Sequence, residues 1–76
     1  MLMLKDALWL SGMEVTTYFD QPTRTHNFVV QDAFGQVLAR KAFPVMGAMS
    51  LEVEVNHYLW SIIKQYNPEI LEGKQQ

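Results

Sequence analysis

Neither glycine nor proline interrupts residues 50–66, and apolar side chains recur along them at helical spacing. At about 100° per residue, Leu51, Val55, Tyr58, Leu59, Ile62 and Tyr66 fall on one continuous stripe. Ser50 is a good N-cap, Glu52 and Glu54 sit near the positive end of the helix dipole, and Asn67-Pro68 ends the run. The first half also alternates, with Leu51, Val53 and Val55 against Glu52, Glu54 and Asn56, which is the period of a strand. A strand over 50–56 needs a turn near Asn56-His57, and no glycine or proline is there to make it. One long helix is therefore expected, the alternative being a fourth strand and a shorter helix.

The helical reading has a geometric consequence. Trp60 lies about 180° around the axis from Leu51, beside Val53 and flanked by His57 and Lys64. If the Leu51 stripe packs inward, these four residues face away from the packing.

Upstream, three segments have strand character. "MEVTTYFD" (13–20) alternates and is rich in β-branched and aromatic residues. "QPTR" is a turn with Pro22, "THNFVVQ" (25–31) a second strand, and "QVLARKAF" (36–43) a third, stopped by Pro44. "DAFG" places Asp32 and Gly35 at the first and fourth positions of a type I turn, which predicts a hairpin with a three-residue loop. Pairing Asp20 with Thr25 sets Val15 opposite Val30 and Thr17 opposite Phe28. Pairing Asp32 with Gln36 sets Val30 opposite Leu38 and Phe28 opposite Arg40. One sheet face then carries Met13, Val15, Phe19, Phe28, Val30, Leu38 and Ala42 and is the better core. The other face carries Glu14, Tyr18, Asn27, Val29, Lys41 and Phe43, among others. A one-residue slip on any strand would exchange its faces.

Residues 2–10 contain no β-branched side chain, which favours a short helix, with Gly12 placed just past its end. Nine residues offer little periodicity, so a strand is the alternative here. The expected fold is α+β: a three-stranded antiparallel β-meander packed by one long C-terminal helix, with a short N-terminal helix before it. The whole of 1–76 reads as a single small domain with a polar tail, 72–76, that frays.

Size sets the next constraint. A chain of 76 residues buries only about 60% of the surface its unfolded form exposes. Small domains of this kind offset the deficit with disulfides, metals or association. There is no cysteine, and His26 and His57 alone do not make a structural zinc site. No cofactor is expected. Self-association or partner binding is the compensation that remains. No apolar run is long enough to span a bilayer. The apolar start is broken by Lys5 and Asp6 and lacks a basic n-region, so a secretory signal is not expected and a cytoplasmic protein is the default.

The sequence carries no catalytic constellation. Glu54 and His57 have the i, i+3 spacing of di-iron bundles, but no further carboxylates accompany them, and a solvated Glu–His pair is the simpler reading. His26 lies on a strand with no nucleophile arranged for it. The glycines at 12, 35, 47 and 73 are isolated, so no phosphate-cradling loop exists.

Surplus aromatic and Met side chains point to binding instead. Val53, His57, Trp60, Lys64 and Trp9 form the candidate partner surface, with Trp60 and Val53 to be covered by the N-terminal segment (Met1, Leu4, Leu8, Trp9), by a second copy, or by another protein. The leading expectation is a non-enzymatic protein-interaction module, binding a partner protein or itself as a homodimer. In size and layout, small acidic cysteine-free domains of this shape resemble bacteriophage-encoded inhibitors of host defence. The alternative is a single-stranded nucleic-acid-binding module using the outer sheet face, Tyr18, Asn27, Lys41 and Phe43. The net charge of −2, with no cluster of basic residues, disfavours it. An enzyme subunit completed by another chain is a further possibility that no residue argues for.

Overall fold

The stripe and the three alternating segments build the framework that their periods imply. The computed structural model describes residues 2–73. In chain order it runs α1 (Leu4–Leu10), β1 (Glu14–Asp20), β2 (Thr25–Gln31), β3 (Val37–Pro44), α2 (Ala48–Tyr66) and α3 (Glu69–Gly73). The strands form one antiparallel sheet in the order β1-β2-β3, and the fold is α+β.

The first hairpin has the expected register. Asp20 faces Thr25, Thr17 faces Phe28 and Val15 faces Val30. The loop closes with Arg24 at φ 53, and the Thr23 hydroxyl donates to the Asp20 carboxylate.

The second hairpin turns where Asp32 and Gly35 require it. The Asp32 Oδ1 accepts the backbone N–H groups of Phe34 and Gln36, both at 2.9 Å. The Gly35 N–H donates to the Asp32 carbonyl at 3.0 Å, and Gly35 takes φ 82, which a residue without Cβ adopts freely.

Beyond the turn the register departs from expectation. Gln31 faces Val37 but Val30 faces Ala39, so Leu38 has no partner and β3 carries a bulge. That one extra residue inverts the rest of the strand. Phe28 now faces Lys41, and His26 faces Phe43. Lys41 and Phe43 therefore lie on the helix side of the sheet, not on its outer face, while Arg40 and Ala42 turn outward. Phe43 is buried. It meets Phe28 edge-on, with ring centroids 5.6 Å apart, and Tyr58 of α2 at 5.9 Å.

α2 is one continuous helix, with no strand at 50–56. It starts earlier than Ser50 suggests. Gly47 is the N-cap and makes no side-chain capping bond, so Ser50 lies within the first turn and Glu52 and Glu54 fall beyond it. Asn67 closes α2, and its side-chain amide donates to the Ser11 hydroxyl at 3.3 Å. Pro68 then leads into α3, which the sequence reading did not anticipate; proline suits the first positions of a helix as well as a stop. Of the tail expected to fray, residues 72 and 73 close α3, and 74–76 lie outside the described residues.

The core is a cluster of Ala7, Met13, Val30, Leu59, Ile62 and Ile63. Leu4, Ala7 and Leu8 share one face of α1, at i, i+3 and i+4, and that face closes over the cluster. Among the described residues no helix is long and apolar enough to cross a membrane.

Candidate interaction surfaces

α2 buries a wider arc than the Leu51 stripe. Ile63, about 120° from Leu51, is fully buried in the cluster with Ala7 of α1. The arc extends to Trp60, which is half-buried and packs on the same cluster along with Leu2 and Ile70. Trp60 is thus partly covered by its own chain. His57, Trp60, Ser61 and Lys64 surround one concavity, closed on the α3 side by Leu71. Val53 stays on the solvent face and does not join it.

Trp9 is not brought to Trp60. It projects from the outer face of α1 and borders a separate hollow with Gly12, Met13, Glu14, Asp32, Ala33 and Gly35. The neighbouring residue at the turn tip is Phe34. Trp9 is 79% exposed and Phe34 is 94% exposed. Two aromatic side chains therefore stand in water at the same end of the molecule, where α1 meets the second hairpin. Glu14 and Asp32 give that end an acidic rim.

A third apolar surface lies at the start of α2, where Met49 is 81% exposed and Val53 is 66% exposed. Ala48, Leu51 and Val55 line an adjoining groove against Phe28. The sequence reading counts Met49 only among the five methionines that add apolar surface, and does not single out Phe34. The signal for Phe34 is its place at the tip of the Asp32–Gly35 turn, because connecting loops run over the surface.

Of the four residues of the candidate nucleic-acid surface, only Tyr18 and Asn27 lie on the outer sheet face. The Asn27 amide is tied back to the Thr25 carbonyl at 3.2 Å and to the Thr25 hydroxyl at 3.0 Å. Lys41 instead places Nζ 5.4 Å from the Phe43 ring centre and 5.6 Å from that of Tyr58, on the helix side. The Tyr58 hydroxyl is buried without a hydrogen-bond partner, and desolvation raises its pKa above the ordinary 10.0. His26 stacks at a tilt on Phe19, ring centroids 5.0 Å apart, as an ordinary cross-strand aromatic pair. Comparison with models of known families, with curated proteins and with solved structures finds no match for this chain.

Proposed function

We propose that this protein is a small non-enzymatic interaction module that docks on another protein through the end carrying Trp9 and Phe34. The observation that supports the reading is the exposure of both aromatics, Trp9 bordering the hollow and Phe34 standing between Ala33 and Gly35 of its lining. Burying an aromatic side chain of this size contributes roughly 2–3 kcal/mol, and tryptophan is a favoured anchor at protein interfaces. The rim of Glu14 and Asp32 favours a partner whose apolar site is edged with lysine or arginine. A role as an inhibitor or accessory protein of the kind phages encode suits a domain that acts by occupying a partner's surface. The sheet-face nucleic-acid reading has less support, because Phe43 is buried and Lys41 faces the helix.

Site-specific photo-crosslinking in the producing cell tests the reading. A photoreactive residue at position 34 or 9 should give one adduct of the same defined mass, and one at the exposed Gln65 should give none. The 34 adduct should disappear when Trp9→Ala is added. Absence of an adduct at both aromatic positions would count against the proposal, and an adduct of twice the chain mass would indicate homodimerisation in its place.

A further inference from the structure

The two edges of the sheet are unlike. β3 carries the features that discourage edge pairing: Pro44 at its end, Arg40 and Lys41 at its middle, and the bulge at Leu38. β1 has no proline, no basic residue and an unbroken seven-residue register with β2. Outside that ladder, no backbone hydrogen bond among the described residues engages 14–20. The outward N–H and C=O groups of β1 are therefore available to a further strand.

Charge decides which strand fits. Glu14 and Asp20 stand at the two ends of β1. Antiparallel pairing with β1 of a second copy, in the register that uses all seven residues, sets Glu14 against Asp20 twice. Like charges directly opposite each other disfavour pairing. The edge is guarded against its own copies while remaining suited to a strand with cationic ends. The helix-side surface also has room. Phe19 shares a face with Val15 and Thr17, yet is 40% exposed.

We propose that β1 is a docking edge for an extended segment of a partner protein. The segment has Lys or Arg at two positions six apart, facing Asp20 and Glu14, and β-branched or aromatic side chains on alternate positions between them, packing along Phe19, Thr17 and Val15. This inference rests on the partner-docking reading and specifies the chemistry of the partner. Glu14 borders both the edge and the Trp9 hollow, so one segment can engage the two in continuity.

The test uses a capped seven-residue peptide with lysine at both ends and valine and threonine alternating between, titrated into the isotope-labelled full chain. Amide shifts should map to residues 14–20, and binding should be roughly tenfold tighter than that of the same peptide with glutamate ends. N-methylation of alternate peptide nitrogens should abolish it. Glu14→Gln should reduce the preference to about threefold, and Glu14→Lys should cancel it. Equal affinity for the two peptides, a preference unchanged by Glu14→Lys, or shifts mapping away from β1 would overturn the proposal, as would a concentration-dependent dimer formed through β1. Trp9→Ala should leave peptide binding intact. A cross-link at position 34 with no peptide binding removes the β1 proposal alone, while peptide binding without any cross-link removes the Trp9–Phe34 reading alone.

Discussion

The hydroxyl of Tyr66 donates to the carbonyl of Leu38 at 3.1 Å. It ties the last turn of α2 to the one residue of β3 without a ladder partner. A bulge frees backbone groups from the ladder, and a side chain from another element satisfies one of them here. Tyr66→Phe should therefore cost about 1 kcal/mol, read as a lower urea midpoint. Amide exchange should quicken around 37–39 while 25–29 stays protected. Uniform acceleration along the sheet would show that the contact does not hold the bulge.

The register after the bulge gives a sharper contrast. Phe43 sits between Phe28 and Tyr58, whereas Arg40 projects from the open face. Phe43→Ala should destabilise by about 3 kcal/mol or more, and Arg40→Ala by less than about 0.5 kcal/mol. Denaturant unfolding of the two variants decides it. A larger loss for Arg40→Ala would restore the register without a bulge.

Tyr58 makes a prediction with a definite sign in pH. Burial holds its proton more tightly in the folded chain than in the unfolded one. Stability from this source is complete below the unfolded value of 10.0 and is lost as pH rises through the higher folded value. Tyr58→Phe lacks that contribution, so its urea midpoint should fall less between neutral and strongly alkaline pH. At neutral pH the variant should be at least as stable as the parent, because the hydroxyl it removes is buried without a partner. A clear loss of neutral-pH stability would mean the hydroxyl is bonded.

How much of this was legible in the sequence differs by element. The first hairpin was readable because its strands are equal in length and Gln21–Arg24 fixes the turn. The long helix was readable because its stripe never breaks. β3 was not, and its composition explains why. Val37, Ala39, Lys41 and Phe43 are about as apolar as Leu38, Arg40, Ala42 and Pro44, so alternation alone gives no preference between registers. Trp60 lies on the helix as expected and is half-buried against the cluster on which Leu4 and Leu8 of α1 and Ile70 of α3 also pack, while Val53 stays open. Both α1 and α3 are short elements whose packing depends on partners far away in sequence. The expected pairing of Trp9 with Trp60 fails because Trp9 lies on the outer face of α1, and Phe34 stands at the tip of a turn whose sequence signal is its aspartate and glycine.

The partial cover of Trp60 changes how self-association must be tested. Trp60→Glu places a charge against the core cluster and should destabilise the monomer by about 2 kcal/mol or more. Val53→Glu, on the open face, should change stability by less than about 0.5 kcal/mol. Sedimentation of Val53→Glu beside the parent is therefore the clean measurement. If the start of α2 joins two copies, the parent sediments as a dimer and the variant as a monomer of unchanged melting temperature. Identical sedimentation of both excludes that patch as the dimer surface.

The hydrogen bond from Asn67 to Ser11 joins positions 56 residues apart, and Leu2 and Ile70 pack on one cluster. Segments near both ends of the described chain therefore rest on the same core, while the Gln21–Arg24 turn is exposed to solvent. Loosening either segment should reach the cluster itself and lower the stability of the whole domain, whereas cutting the turn should be felt only locally.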